Sequence, residues 1–195
     1  MVKQKWFNNG KVNENCAVFF KVRDRFGGLS NMAGSFPAKV NGVFFGSSEA
    51  LYQACKFPEN PGLQAEIGKM ASPLYAKSKA RKNEDGARGD WEEVKVEVMR
   101  WVLRVKRAQN PFRMRAIFKD TNGRQIVERS RKDKFWGAVL EDDGFLHGEN
   151  RLGVLLGEVR DEKTGPVPPP AAPGFLIAGR PAGEIPAEAP WTLAS

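Results

Sequence analysis

The chain has 195 residues, enough for one domain with an appendage and for a sizeable hydrophobic core. Its 31 Lys and Arg residues outweigh 23 Asp and Glu residues, and the net charge of +8 favours an anionic partner. The single histidine excludes a histidine-ligated metal site, and a Ser-His-Asp triad would have to use His147 alone. Two cysteines outside any CxxC spacing, no run of about 20 apolar residues and no signal peptide lead us to expect a cytoplasmic protein without a membrane span.

Short strands and turns are predicted before the first helix. AVFFKV, residues 17–22, predicts a strand, and the turn-rich FGGLSNMAGS follows it. FPAKVNGVFFGS predicts a hairpin around Asn41-Gly42, the dipeptide that best suits a two-residue turn. Ser47 or Ser48 then caps a helix over SSEALYQACKF, which we expect to end at Lys56-Phe57-Pro58 because the residue before proline disfavours helix.

Helices dominate the predicted elements that follow. GLQAEIGKMA and SPLYAKSKARK predict two short helices, the second with Ser72 as its cap and Pro73 at its first position. Asp90 and Glu93 predict a capping box for the long helix DWEEVKVEVMRWVLRVKRAQ, and PFRMRAIFKDT predicts another helix. RQIVERS predicts a strand and ENRLGVLLGEVRDE a final helix. Because no βαβ alternation is visible, we expect an α+β fold, a compact helix-rich single domain with a few short strands.

The composition also predicts the domain boundaries. Residues 164–195 contain eight of the 13 prolines, which disfavours helix and central strand there. We therefore divide the chain into an N-terminal extension (1–16), a main domain (17–163) and a proline-rich tail (164–195). Within the tail, the FLIA segment and Trp191 can dock as apolar anchors.

One predicted helix aligns three polar side chains. At about 100° per residue, SSEALYQACKF has Glu49, Gln53 and Lys56 on one face. A solvated stripe with a surface salt bridge is one interpretation. The other is a partly buried site, in which Glu49 transfers protons and Lys56 attacks a sugar carbon as an amine. The residues alone leave both interpretations open.

Two glycine-containing loops provide further candidates for ligand binding. In RDRFGGLSN, residues 23–31, Gly28 permits close backbone approach to a ligand, and Arg23 or Arg25 can hold a phosphate. In HGENRLG, residues 147–153, Gly148 permits the same approach. Ordinary turn chemistry is the alternative. The polar candidates in these two loops are Ser30, Asn31 and Asn150.

A third loop, RSRKDKFWG at residues 129–137, combines a carboxylate with an indole. Asp133 can bond a ribose hydroxyl, and Trp136 can stack on a base. The alternative is a core tryptophan beside a solvated aspartate. Basic residues surround this loop and the end of the long helix, and we interpret them as a nucleic-acid surface or a solvated face. They are Arg104, Lys106, Arg107, Arg129, Arg131, Lys132 and Lys134.

Five ordered motifs resemble the NADAR family, which is named for its association with NAD and ADP-ribose and includes bacterial N-glycosidases. The motifs are GGLSN, SSEALYQACKF, DWEEVKVEVM, IVERSRKDKFWG and GENRLGVLLGEVR, and they extend over residues 19–161. The resemblance implies a helix-rich α+β fold and cleavage of an N-glycosidic bond in a ribosylated substrate. We expect neither a cofactor nor a metal. It implies that the functional carboxylates and tryptophan are Glu49, Asp133 and Trp91, with Lys56 as the matching lysine.

The resemblance implies two classes of substrate. Some members of the family act on ribosylamino-pyrimidine phosphates of riboflavin synthesis, and others remove ADP-ribose from guanine in DNA, as antitoxins to DarT-type ADP-ribosyltransferase toxins. Residues 1–163 carry 30 basic and 21 acidic residues, a balance of +9. DNA binding uses each added phosphate contact through counterion release, so this charge favours ADP-ribosylated DNA. We therefore predict an ADP-ribosyl hydrolase that reverses DNA ADP-ribosylation, an antitoxin-like repair function. A riboflavin-pathway glycosidase and a non-catalytic module that binds ADP-ribose or nucleic acid are the alternatives.

Two mechanisms fit these predicted residues. In the first, Glu49 moves protons, Lys56 traps the ribose C1 as a Schiff base, Asp133 orients the ribose and water releases ADP-ribose. In the second, water attacks an oxocarbenium-like centre directly with Glu49 as the base, and no covalent lysine is needed.

Overall fold

The computed structural model describes residues 16–187 and the backbone of residues 5–7. The chain folds into two compact units. Unit 1 comprises the described residues up to Ser30 together with Met114–Glu162. Unit 2 comprises Asn31–Arg113 and the described residues from Lys163 onward. The mixture of six α-helices and several short strands in the described residues confirms the helix-rich α+β class.

Unit 1 is built on a five-stranded sheet. Its strands are β1 (Lys5–Phe7), β2 (Cys16–Phe19), β5 (Gln125–Ser130), β6 (Ala138–Leu140) and β7 (Phe145–His147), in the order β1-β7-β6-β5-β2. Strand β5 pairs in parallel with β2 and β6, whereas β7 pairs antiparallel with β6 and β1. Apolar side chains of the sheet, including Val127 and Leu146, are fully buried and form part of the core.

Helix α6 (Arg151–Asp161) is anchored to β5 by Asn150. This residue has a left-handed backbone, with φ 51°, and its side chain is fully buried. Asn150 Nδ2 donates to the Ile126 carbonyl at 2.9 Å, and Asn150 Oδ1 accepts the Glu128 N–H at 3.0 Å. A Cβ on Gly153 would lie 2.1 Å from the Ile126 oxygen, so only glycine permits this approach of α6 to β5.

Unit 2 combines helices with two small hairpins. Its elements are β3 (Ala38–Val40), β4 (Val43–Phe45), α1 (Ser48–Ala54), α2 (Pro61–Gly68), α3 (Pro73–Arg81), α4 (Trp91–Gln109), β8 (Leu176–Ile177) and β9 (Arg180–Pro181). Helix α5 (Pro111–Thr121) begins in unit 2 and ends in unit 1. The predicted hairpin is confirmed: Asn41 and Gly42, with φ 49° and 85°, connect β3 to its antiparallel partner β4.

Two of the predicted helix caps are confirmed and one is wrong. The Ser47 hydroxyl accepts the Ala50 N–H at the start of α1, and the Ser72 hydroxyl accepts the Tyr75 N–H at the start of α3. Asp90 precedes α4, but its side chain makes no capping bond. Its carboxylate instead accepts two hydrogen bonds from the Arg88 guanidinium, at 2.6 and 2.9 Å, and this ion pair competes with the predicted capping box.

The described part of the proline-rich segment packs within unit 2. The Phe175 ring lies edge-on against the Trp101 ring, with centroids 5.1 Å apart. The buried Gln64 side chain donates to the Leu176 carbonyl at 2.9 Å and accepts the Ala178 N–H at 2.8 Å. The FLIA segment therefore docks as expected for an apolar anchor, whereas Trp191 lies outside the described residues. Of the N-terminal extension, residues 1–4 and 8–15 lie outside them as well.

Across residues 16–187, no helix is both long enough and apolar enough to cross a lipid bilayer.

Candidate active site

Glu49 is a buried carboxylate in the first turn of α1. Every residue of this helix is buried, and the Glu49 side chain is only 9% exposed. The Glu49 backbone N–H donates to the Asn31 carbonyl at 3.0 Å. Gln53 Nε2 donates to Glu49 Oε1 at 2.9 Å, one helical turn away. The predicted alignment of Glu49 with Gln53 is therefore correct, and it is a buried pair rather than a solvated stripe.

Lys56 does not join this pair, so the prediction that three polar side chains share one helix face is wrong for Lys56. Helix α1 ends at Ala54, and Lys56 lies after its C-cap. Its amine is 3.1 Å from Glu84 Oε1 and 5.5 Å from the centroid of the Trp91 ring. The Lys56 amine therefore has both an ion-pair partner and a cation–π neighbour. The Lys56 side chain is 13% exposed, whereas its partner Glu84 is 55% exposed, so the ion pair lies at the edge of the solvent.

Trp91 is the first residue of α4 and packs beside α1. Its ring centroid lies 5.0 Å from that of Tyr52, with the planes tilted by 54°. The preceding segment is tied to the end of α1, because the Arg88 N–H donates to the Lys56 carbonyl at 2.8 Å. These contacts bring Trp91 and Lys56 together, and their contact with a substrate stays a prediction.

Sequence reasoning missed three residues that contact these candidate side chains. Lys77 Nζ lies 3.9 Å from Glu49 Oε1, Glu84 is the partner of Lys56, and Tyr52 packs on Trp91. No local pattern marks these residues, since each contact joins segments that only the tertiary fold brings together. These residues form two groups that share helix α1, and we call them together the carboxylate cluster: Glu49, Gln53 and Lys77 in the first group, and Lys56, Glu84, Trp91 and Tyr52 in the second.

Asp133 and Trp136 belong to unit 1, where they form a turn after β5. Asp133 Oδ1 accepts the N–H groups of Phe135 and Trp136 at 2.9 and 2.8 Å, and the Asp133 N–H donates to the Ser130 hydroxyl at 3.0 Å. Asp133 is exposed, and the half-buried Trp136 ring stands edge-on to Phe135. The carboxylate therefore shapes the loop that presents the indole.

The predicted loop residues differ in how much surface they offer. Arg23 is exposed and Gly28 half-buried, whereas Ser30 and Asn31 are each 5% exposed. Arg25 is paired with Asp120 through a hydrogen bond of 2.7 Å from Nε to Oδ2, and this partner lowers the pKa of Asp120.

Close packing within the protein accounts for the second glycine loop. A Cβ on Gly148 would lie 2.4 Å from the Gly137 carbonyl oxygen, so the close approach is to the protein's own backbone. The Asn150 amide is engaged with β5, as described above. Both residues thus have structural roles, and their contact with a substrate stays a prediction.

The predicted basic surface on α4 is wrong for Lys106. This residue is 1% exposed, its amine lies 4.6 Å from the centroid of the Phe36 ring, and burial lowers its pKa to about 7. Arg104 and Arg107 are half-buried. The end of α4 therefore offers much less positive charge than its sequence indicates, because both of its faces are covered.

Part of the basic cluster around the Asp133 turn is exposed. Arg131, Lys132 and Lys134 all reach solvent, and Lys134 forms an ion pair with Glu141 that lowers the pKa of that carboxyl. The Arg129 and Arg131 guanidinium groups lie 5.3 and 5.9 Å from the Phe20 ring centroid. Among the described residues, no group of three or more His, Cys, Asp and Glu side chains is arranged to hold a metal ion.

Comparison with known proteins identifies relatives of the chain. It is 37% identical over 144 residues to N-glycosidase YbiA of Escherichia coli (strain K12), an alignment that covers 74% of this chain and 86% of that protein. It is 33% identical over 153 residues to riboflavin biosynthesis protein VVA0006 of Vibrio vulnificus, covering 77% of this chain and 39% of that protein.

The fold has a solved counterpart. The NMR structure of the E. coli protein YbiA superposes with a TM-score of 0.63 at 33% sequence identity, covering 79% of this chain and 90% of that one. A family model described as NADAR domain matches residues 18–163, which include Glu49, Trp91 and Asp133. The motif order, the fold and these matches agree, and the chain belongs to the NADAR family.

Proposed function

We propose that this protein is an N-glycosidase that hydrolyses the bond between ribose C1 and an amine nitrogen of a ribosylamino-pyrimidine phosphate. The observation that carries the proposal is the buried Glu49 carboxylate, held by Gln53 and faced by Lys77, in a chain of the NADAR family. Relatives named N-glycosidase YbiA and riboflavin biosynthesis protein support both the reaction and the substrate class.

Glu49 acts as the general base in this proposal. The C1–N bond breaks as a water oxygen bonds to C1, the water proton passes to Glu49, and Glu49 returns this proton to the departing amine nitrogen, which regenerates the carboxylate. The Gln53 amide fixes one carboxylate oxygen, which leaves the other for water. Lys77, whose side chain is 62% exposed, balances the carboxylate charge from the solvent side and can also meet the substrate phosphate.

Lys56 is assigned the role of an anchor rather than a nucleophile. A covalent role needs the amine beside the proton-transferring carboxylate, whereas Lys56 lies after the C-cap of α1 and its amine is engaged by Glu84 and Trp91. Direct attack by water is therefore favoured over a covalent lysine intermediate. Borohydride reduction during turnover is expected to leave Lys56 unmodified in the mass spectrum, and an adduct of the ribosyl group on Lys56 would restore the covalent mechanism.

Removal of ADP-ribose from guanine in DNA is the second candidate, which the net charge first favoured. Exposed Arg131 and Lys132 beside the Asp133 turn support it, because basic side chains next to an aromatic residue suit nucleic acid. The burial of Lys106 weakens it, since that lysine does not reach solvent to meet a phosphate. We therefore rank the small phosphorylated substrate first.

A paired assay with both substrates tests the proposal. The protein is incubated with a ribosylamino-pyrimidine phosphate and, separately, with an oligonucleotide that carries ADP-ribosylguanine, and the released ribose 5-phosphate or ADP-ribose is measured. We expect release from the pyrimidine substrate at a rate that changes little between about 50 and 200 mM salt, because few phosphate contacts are involved. Release from DNA alone would select the antitoxin-like function, and release from neither would leave a binding module.

A further inference from the structure

Unit 2 contains a cavity that the proposed chemistry does not yet use. Its volume is about 360 Å³, within the range of roughly 300–1,000 Å³ that is typical of small-molecule pockets. The lining residues that determine its shape and polarity are Phe44, Gly46, Ser47, Lys69, Met70 and Pro73. They come from the end of β4, the cap of α1, the segment after α2 and the start of α3.

Two elements of the cavity wall, the start of α1 and the start of α3, also carry members of the carboxylate cluster. Ser47, in its wall, caps the helix whose first turn carries Glu49. Pro73, also in its wall, is one helical turn before Lys77 on α3, and residues four apart share a helix face. Because Lys77 Nζ lies 3.9 Å from Glu49 Oε1, the helix face that contributes Pro73 to the cavity wall also contributes the lysine that faces the carboxylate.

The chemistry of the wall favours a flat, largely apolar group. Phe44 is 43% exposed, and Met70 and Pro73 add apolar and polarisable surface. Lys69 contributes the charge of the wall. A phosphate would require several converging donors, whereas a planar nitrogen heterocycle stacks on an aromatic ring and needs few polar partners.

We propose that this cavity is the subsite for the leaving base, and that it accepts an aminopyrimidine-type heterocycle while Glu49 faces the ribose C1 to which the base is joined. The proposal rests on the proposed function and adds a substrate-selecting wall formed by β4, the segment after α2 and the start of α3. Phe44 stacks on the ring of the base, and Gly46 provides the room for it.

Gly46 offers a way to fill the subsite without disturbing the fold. A Cβ built on Gly46 meets no atom within 4 Å, and its backbone does not require glycine. The variant Gly46→Leu therefore extends a side chain into open space at the wall. Gly165 has equally open surroundings outside the cavity lining, so Gly165→Leu is the matched control. Phe44→Ala gives a second test at a side chain that already reaches solvent.

Binding of two probes to these variants tests the subsite. A free diaminopyrimidinone represents the base, and ribose 5-phosphate represents the rest of the substrate. In the wild type, NMR titration with the diaminopyrimidinone is expected to shift the amide signals of Ser47 and Met70. Gly46→Leu is expected to weaken this binding by about tenfold or more, and Phe44→Ala by several-fold, whereas Gly165→Leu matches the wild type. Ribose 5-phosphate is expected to bind all four proteins equally.

The same variants separate failure of the subsite from failure of the proposed function. The subsite proposal is overturned if the wild type shows no shifts at these amides, or if Gly46→Leu leaves both base affinity and KM for the pyrimidine substrate unchanged. If the wild type binds the base and hydrolyses nothing, the subsite stands and the glycosidase proposal fails. If the wild type hydrolyses the substrate and Gly46→Leu has an unchanged KM, the glycosidase proposal stands and the subsite proposal fails.

Discussion

Replacing Lys106 with methionine tests the cost of burying an amine in unit 2. Lys106 lies in the last turn of α4, is 1% exposed and has its amine 4.6 Å from the Phe36 ring centroid. Methionine preserves most of the aliphatic chain and removes the ionisable group. We expect Lys106→Met to be more stable than the wild type at neutral pH, because the folded wild type must bury either a charge or a deprotonated lysine.

The size of this effect follows from the pKa of Lys106. Burial lowers this pKa from 10.5 to about 7, because desolvation disfavours the ammonium. At roughly 1.4 kcal/mol per pH unit, the difference sets an upper limit of about 5 kcal/mol. Between these two pH values the unfolded chain keeps the proton that the folded protein has released. The unfolding free energy of the wild type therefore rises with pH across this window.

Urea unfolding of both proteins between pH 7 and pH 9 measures this linkage. The stability advantage of Lys106→Met is expected to shrink by up to about 3 kcal/mol over these two pH units. Since all other ionisable groups are shared, the difference between the two curves isolates Lys106. A difference that stays constant from pH 7 to pH 9 would refute the argument, because the amine would then have the same pKa in the folded and unfolded chains.

Two further substitutions test the contacts that organise each unit. Asn150→Ala removes both side-chain bonds between the start of α6 and β5 and places alanine at a positive φ, so we expect a loss of about 3 kcal/mol in unfolding free energy. Asn150→Gly, which tolerates the backbone, is expected to recover part of that loss in thermal unfolding. Gln64→Ala leaves the Leu176 carbonyl and the Ala178 N–H without their partner. It is expected to cost about 2 kcal/mol and to expose the segment around Phe175 to limited proteolysis, whereas unaltered cleavage would contradict the docking.

Local sequence signals predicted the elements that depend on a few neighbouring residues. Asn41-Gly42 specified a turn because both positions tolerate positive φ, and Ser47 and Ser72 specified helix starts because their hydroxyls reach nearby N–H groups. The same reasoning failed at Asp90, where Arg88 competes for the carboxylate that the capping template needs. The capping-box pattern takes account only of the cap residue and the helix, whereas Arg88 precedes the cap and lies outside the pattern.

Long-range contacts were not predictable from periodicity. Ala17 pairs with Ile126 in a parallel ladder, and nothing in either segment specifies a partner about 100 residues away. Helical spacing identified the Glu49–Gln53 pair, since both lie within α1, but the ion pair of Lys56 with Glu84 depends on tertiary packing. Lys106 was misplaced on the surface for the same reason, because an apolar stripe indicates one buried face and does not reveal that the other is covered too.

The most direct test of the proposed function is the kcat/KM of Glu49→Gln on the ribosylamino-pyrimidine phosphate, measured beside the wild type and Glu66→Gln. Glu66 is an exposed carboxylate on α2 paired with Lys79, so its amide variant controls for charge and folding. Loss of a general base typically costs about 100- to 10,000-fold in rate. We predict a loss of this size for Glu49→Gln and near wild-type hydrolysis for Glu66→Gln. Hydrolysis by Glu49→Gln within a few-fold of the wild type would contradict the assignment of Glu49 as the catalytic base.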